Sequence, residues 1–340
     1  MSIIIYTADF SGFHEISNAS AVQMSYYYND VGKLILDAPV NADNVEALKN
    51  DRILYDTEKK LAYIIKNVKT DTKANRITAN GFTTNQIVNS RVIASSVAVR
   101  NVESGVYSVV NENLRGLSRI ATAAPKGLTE STVVTLYGGA VLSEVMPLLS
   151  NAGLGNRMTW NHRTKEHTFE VYKGKDLTTG LHAVVFSDEQ GTARDLVIND
   201  DVSLFKNVAY VTDEYDGKNV VEIVGTATGD DRHEKWFSID IAEDEDETEA
   251  KFRTKLRNHG AMELGKLIRK LSFSVAIDPA ELGVLYDIGD VVTCVSKRFG
   301  VRFNARISGV KFKKDSNSEA AEIILGEPVL TTIGEVKLSG

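Results

Sequence analysis

Tyr26-Tyr27-Tyr28-Asn29-Asp30-Val31-Gly32-Lys33-Leu34-Ile35-Leu36-Asp37-Ala38-Pro39 and, near the other end, Tyr286-Asp287-Ile288-Gly289-Asp290-Val291-Val292-Thr293 follow one plan. Each sets an aromatic anchor before an acidic turn residue, a hydrophobic residue, a glycine free to take positive φ, and then a strand. Neither holds a nucleophile, a pair of metal ligands or a phosphate cradle. Both read as corners where the chain enters a β-barrel strand at a fixed angle. The protein is therefore expected to work as a shape.

Around the first corner the chain reads mainly as strands. Asn75-Arg76-Ile77-Thr78-Ala79-Asn80 alternates polar and apolar residues, as a half-buried strand does, whereas Leu61-Ala62-Tyr63-Ile64-Ile65 is dense enough to be covered on both faces. A short helix is predicted from Asn41 to Asn50, capped by Asn41 or Asp43, with Val45 and Leu48 inward. Another follows Thr84 and carries Ile87 and Val88. Strands with brief helices over a segment of this size suggest a small barrel.

The pattern changes near Asn101. Val106, Val109, Val110, Leu114, Leu117 and Ile120 form a helical stripe between Gly105 and Ala124. A second helix is expected from Ala140 to Ser150, with Val141, Leu142, Val145 and Leu149 inward and Pro147 kinking or ending it. Met158 to His162 and His167 to Tyr172 read as hairpin arms around Arg163-Thr164-Lys165-Glu166.

Strands return from about Thr192. Asn207 to Thr212 and Lys218 to Gly225 flank Tyr215-Asp216-Gly217, a strong hairpin signal. In Arg302 to Phe312 the apolar phase slips by one at Gly309, from Phe303, Ala305 and Ile307 to Val310 and Phe312, which predicts a bulge or sharp bend. A helix is expected over residues 247–271, with Gly260 and Gly265 as possible breaks. The fold class is α+β, mainly β: two small β-barrel domains with an α/β domain between them. The first barrel covers residues 1–100, with strands from residues 194–240 as candidates to complete it. The α/β domain covers 101–193, and the second barrel with its helix covers 194–340.

Composition agrees with a structural protein. The 340 residues are 43% hydrophobic and 25% charged, an ordinary globular balance long enough for two or three domains. The net charge of −7 argues against a nucleic-acid-binding surface, which needs clustered Lys and Arg. Cys294 is the only cysteine and sits in the strand-like Val291 to Val295, so it reads as a small buried hydrophobe in a reducing compartment. No basic region precedes Lys33, so no secretory leader is expected. The uncharged stretch from Ser131 to Ser143 is too short to span a membrane and is interrupted by Gly138-Gly139.

Candidate chemistry is sparse. Glu243-Asp244-Glu245-Asp246-Glu247 lacks the ligand spacing of a calcium loop and reads as the solvated acidic start of a helix whose later turns are basic. His162 and His167 sit on opposite hairpin arms without a third ligand. His259 reads as a satisfied core or interface histidine, and His14, His182 and His233 have no partner that sequence identifies. Gly174-Lys175-Asp176-Leu177-Thr178-Thr179 lacks the earlier glycine and the Lys-Ser/Thr pair of a phosphate loop. No catalytic, cofactor-binding or metal-binding residue is assigned, and no cofactor is expected.

A family resemblance runs through these segments. Val31-Gly32-Lys33-Leu34 with Leu36-Asp37-Ala38-Pro39 resembles the amino-terminal barrel of phage tail-hub proteins. Thr168-Phe169-Glu170-Val171-Tyr172-Lys173-Gly174-Lys175-Asp176-Leu177-Thr178 is similar to a stretch of the same siphophage family. So is Val184-Val185-Phe186-Ser187 with its turn Asp188-Glu189-Gln190-Gly191. Tyr286 to Val292 resembles the family's late barrel strand, and Ile324-Leu325-Gly326-Glu327-Pro328 its end.

The resemblance implies a non-enzymatic homotrimer, the hub of a tail tip or baseplate, also similar to the trimeric central hub of contractile tails. Two barrels per chain would build a pseudo-sixfold ring. That ring would join a distal tail protein or tail-tube ring above to tip, fibre or tape-measure proteins below. DNA would pass the lumen without specific binding. The implied location is the virion tail tip, after synthesis in the host cytoplasm, with no membrane span. No lytic region is expected before Gly340. The hub of a bacteriocin or injection particle is a sister reading. The alternatives are a tail-associated hydrolase with a carboxylate or metal site, and a glycan-binding module with Trp160, Tyr26 and Tyr28 as platforms.

Overall fold

A computed structural model describes residues 2–189, 191–192, 194–241, 247–298, 300–315 and 318–328. It is mainly β, with four α-helices among the described residues: α1 (Ala42–Ala47), α2 (Val102–Asn113), α3 (Val141–Asn151) and α4 (Glu249–Gly265). Among the described residues one 13-stranded sheet holds strands from both the first and the last parts of the chain. Its amino-terminal lobe runs in the order Ala21–Tyr27, Lys33–Pro39, Arg76–Thr83, Leu61–Asp71, Ile53–Asp56, Ile3–Tyr6 and Phe13–Ile16. Its carboxy-terminal lobe runs Arg194–Asp201, Lys270–Ile277, Glu319–Pro328 and Val301–Asp315, with Val291–Ser296 and Val185–Ser187 branching off the last.

The long strand Val301–Asp315 joins the lobes. Its first part pairs with Val291–Ser296, from Ser296↔Val301 to Val291↔Arg306. Its second part pairs with Ala21–Tyr27, from Gly309↔Tyr27 to Asp315↔Ala21. The change of partner coincides with register shifts between Ala305 and Gly309 against Glu319–Pro328, the bulge that the phase slip predicts. One apolar core runs under both lobes, from Ile5, Leu36 and Tyr63 to Val292, Ile307 and Leu325. The ends therefore share a sheet and a core. Among the described residues the strand path stays open, from Arg194–Asp201 at one edge to Phe13–Ile16 at the other.

Local readings hold where short-range chemistry decides. Asn41 Oδ1 caps α1 by accepting from Asn44 N at 2.8 Å. Ala62 and Ile64 face one core while Tyr63 and Ile65 face another, so that strand is covered on both sides. The hairpin around Asp216-Gly217 forms, as does the one joining Gly155–Asn161 to Glu166–Tyr172. Val141, Leu142, Val145 and Leu149 of α3 are buried, and the helix continues through Pro147.

Other expectations need correction. Val45 is exposed, because α1 is a single short turn resting on Asn44, Ala47 and the following Leu48. The helix expected over 105–124 ends at Asn113, since Arg115 and Gly116 both take positive φ and turn the chain. Ile120 then starts a strand, Ile120–Thr122, that pairs parallel with the hairpin. The helix expected over 247–271 ends at Gly265, and Leu271 belongs to Lys270–Ile277. Gly260 does not break that helix. It lets the helix lie close to a strand: a Cβ there would meet Val211 Cγ2 at 2.3 Å.

The strands of residues 194–240 do not complete the first lobe. Arg194–Asp201 pairs with Lys270–Ile277, and Val208–Tyr215, Lys218–Val224 and Glu234–Ser238 form a separate three-stranded sheet. With α4 this sheet makes a small unit with its own core of Ala209, Val211, Val220, Ile241, Phe252 and Leu256. It is an insertion at the tip of a hairpin, because Asp201 and Lys270 stand opposite each other. Replacing residues 202–269 by an Asn-Gly turn should leave a soluble chain that unfolds cooperatively in urea. Loss of cooperative unfolding would mean that the main sheet needs the insertion.

Candidate functional site

The two corners quoted from the sequence meet at the point where Val301–Asp315 changes partner. Tyr28 N donates to Ser308 O at 2.8 Å, Gly289 N donates to Ile307 O at 2.7 Å, and Ile307 N donates to Asp290 O at 2.8 Å. A middle unit, with its own core that includes Val106, Val145 and Phe169, joins them there, with Asn156 N donating to Tyr28 O at 2.8 Å. The Tyr28 hydroxyl lies 3.0 Å from Gly153 O and 3.1 Å from Tyr172 O, and accepts from Gly174 N at 3.4 Å. Its ring meets Tyr172 edge to face at 5.0 Å, and the Arg306 guanidinium lies 4.9 Å from the ring centroid.

Close approach requires glycine on both sides of that ring. A Cβ at Gly155 or Gly289 would lie 2.4 Å from Tyr28 ring carbons, and Gly289 has φ +100°. Arg306 Nη1 donates to Gly289 O at 2.6 Å. Asp290 closes the corner, accepting from Lys175 N at 2.7 Å and Asp287 N at 2.8 Å. A second polar chain runs beside it: Asn85 Nδ2 donates to Asn156 Oδ1 at 2.9 Å, and Asn156 Nδ2 to Asn29 Oδ1 at 3.0 Å. Burial raises the phenol pKa of Tyr28 and lifts that of Tyr172 well above the ordinary range, so both rings stay neutral.

The residues weighed for chemistry fall elsewhere. His162 faces the Tyr6 hydroxyl across 3.3 Å, while His167 stands opposite Trp160, its ring 4.4 Å from the indole. Among the described residues no group of three or more His, Cys, Asp or Glu side chains is placed to hold a metal ion. Cys294 is buried, which pushes its thiol up to about 12. Of the acidic run, Glu243 to Asp246 lies outside the described residues. Glu247 is not solvated: its side chain is buried in an ion pair with Lys255 at 2.9 Å. Trp160 and Tyr28 are buried and Tyr26 is half-buried, so none is an open platform.

Two loops with exposed apolar residues are ones that sequence reading passed over. Leu181 is fully exposed and Val284 is 78% exposed, with Leu285 beside it. Their two loops border one hollow of about 530 Å³. The available signal was an apolar residue within a turn, Gly180-Leu181-His182 and Gly283-Val284-Leu285, where polar residues are the norm. A second, larger hollow of about 750 Å³ lies on the joined sheet and is lined in part by Tyr27, Ile35, Val197 and Phe312. Among the described residues, no helix is long and apolar enough to cross a membrane.

The family described as Siphovirus ReqiPepy6 Gp37-like protein matches residues 2–327. The chain belongs to this family. The sequence-level resemblance to siphophage proteins therefore stands. A search of curated proteins found no match. Among solved structures, the chain is similar to the tail protein from Neisseria meningitidis MC58, with 11% identity, 96% of each chain covered and a TM-score of 0.62. It is also similar to prophage tail protein gp18 from Listeria monocytogenes EGD-e, with 12% identity, 98% of this chain and 96% of the other covered, and a TM-score of 0.56. The 43 kDa tail protein of prophage MuSo2 from Shewanella oneidensis matches at 10% identity over 96% of this chain and 98% of the other, with a TM-score of 0.57. At these identities the likeness is one of fold, and it runs from end to end.

Two outcomes test the site's energetics. Tyr28→Phe leaves buried carbonyls without their donor and should cost about 1–3 kcal/mol of unfolding free energy, read from a lowered urea midpoint at unchanged slope. Gly289→Ala should cost more than Tyr28→Phe, because it adds both the positive-φ strain and the ring clash; a smaller loss would contradict this packing.

The second test concerns pH. Burial holds His167 down to about 4 against an ordinary value of 6.5. As pH falls, the unfolded chain takes up this proton first. Stability is therefore lost from about pH 6.5 downward, and the loss is complete below about 4. His167→Phe should flatten that part of the stability curve, by on the order of 3 kcal/mol over the window. An unchanged curve would mean that the imidazole is not buried neutral.

Proposed function

We propose that this chain is a structural, non-catalytic subunit of a phage tail, acting as the hub of the tail tip or baseplate. Family membership over residues 2–327 carries the reading, and the end-to-end fold likeness to tail proteins supports it. The proposed assembly is a homotrimer in which the amino- and carboxy-terminal lobes, divided near residues 100 and 193 by the middle unit, take the barrel-like positions of a pseudo-sixfold ring. A distal tail protein or tube ring would sit above it, and tip, fibre or tape-measure proteins below.

Physical features agree with such a role. Among the described residues the main strand path ends at open edges, Phe13–Ile16 and Arg194–Asp201, which a closed ring would cover. Leu181, Val284 and Leu285 offer apolar contact that a lone chain leaves in water. The net charge of −7 suits a lumen wall that repels DNA phosphates and lets the genome slide past.

Imaging of assembled tail particles containing this chain tests the reading: three copies around a channel not lined mainly by Lys and Arg are expected, and a dimer or a true sixfold ring would refute it. Leu181→Asp combined with Val284→Asp should leave the unfolding midpoint of the isolated chain nearly unchanged, since exposed sites usually shift stability within about 0.5 kcal/mol. The same variant should fail to enter particles; normal incorporation would remove these loops from the interface. Release of soluble fragments from peptidoglycan, abolished by one carboxylate substitution, would overturn the non-catalytic reading.

A further inference from the structure

The inserted unit uses one face of its sheet on α4 and leaves the other to solvent. Ala209, Val211 and Val220 turn toward Phe252 and Leu256. Strand alternation then calls for a polar outer face. Instead, the central row across the three strands reads Ile223, Tyr210 and Trp236, which are direct neighbours in register. Trp236 is 57% exposed and Ile223 51%.

The rings of Tyr210 and Trp236 are nearly parallel, 11° apart, with centroids separated by 5.9 Å. Tyr210 is held in that orientation. Arg232 Nη2 lies 3.1 Å from its hydroxyl, Nη1 donates to Ala227 O at 2.9 Å, and Nε pairs with Glu234. A hollow of about 220 Å³, lined by Tyr210, Glu234, Lys235 and Trp236, opens beside the rings.

We propose that this face binds a neutral glycan, with the exposed Trp236 ring, braced by the stacked Tyr210, packing against the apolar C–H face of a sugar ring and Glu234 hydrogen-bonding hydroxyls at the rim. Fixed aromatic rings beside a few polar groups are what a ligand with an apolar face and a hydroxylated edge requires. The hollow is smaller than a drug-sized site, which suits a single sugar ring. Charge disfavours an anionic ligand: along residues 230–235 Asp230, Asp231 and Glu234 outnumber Arg232 and Lys235, Arg232 is already paired with Glu234, and the protein as a whole carries −7, so a phosphate-bearing polymer gains no attraction here. The inference does not depend on the tail reading, and its failure would leave that reading untouched.

The test is titration of the full chain with cellohexaose, chitohexaose and maltohexaose, followed by tryptophan fluorescence and calorimetry. Trp236 is exposed and Trp160 buried, so a saturable fluorescence change would report on this face. Binding of at least one hexasaccharide is expected, with affinity falling at least tenfold in Trp236→Ala while the unfolding midpoint stays in place. No saturable response to any of the three, or equal binding by Trp236→Ala, overturns the proposal. So does a change in sedimentation of the chain alone on making Trp236→Ala, which would make the face a contact between copies.

Discussion

The structure depends on one strand that cannot keep one partner. Val301–Asp315 is bound along one edge first by Val291–Ser296 and then by Ala21–Tyr27, and between them the backbone must bend and leave groups unpaired. Ile307 and Ser308 sit in that gap. Their carbonyls are taken by Gly289 N and Tyr28 N, so each corner supplies the hydrogen bond that the interrupted ladder lacks. Because both corners must reach the same place, the Tyr28 ring lies against Gly289 and Gly155 with no room for a side chain between.

This junction explains how three segments distant in sequence behave as one body. The amino-terminal lobe contributes Tyr28, the carboxy-terminal lobe Gly289 and Arg306, and the middle unit Gly153, Gly155 and Tyr172. The asparagine chain of the half-buried Asn29 and the buried Asn85 and Asn156 repeats the connection with directional bonds, which tolerate less sliding than an apolar contact.

The inserted unit is attached differently. It hangs from a hairpin tip, carries its own core, and touches the middle unit through α4, where Asn258 Nδ2 donates to Val133 O and Met262 joins the middle core. Its aromatic row therefore lies on a unit separate from the junction. A surface on such an insertion can vary in chemistry without disturbing the shared sheet, because its own packing is completed on the opposite face by α4.

Short-range chemistry was legible from residues alone. The Asn41 cap, the Asp216-Gly217 hairpin, the doubly covered Leu61 to Ile65, the buried stripe of α3 and the slip at Gly309 all follow from local propensity and period. Helix ends were less legible. Gly116 turns the chain just past one end without having been read as a stop, and Gly260 looked like a break and proved to be a contact, since a glycine's reason is written in its neighbour in space. Which strands pair across the whole chain was decided only in three dimensions. The two similar corners suggested two separate barrels, yet they meet at one bulge, because pairing between residues 21–27 and 309–315 depends on matching edges that no local pattern encodes. The sequence by itself determined the elements and the family; the tertiary structure decided that Tyr28 and Gly289 are a single site, and that the indole left exposed is Trp236 while Trp160 is buried.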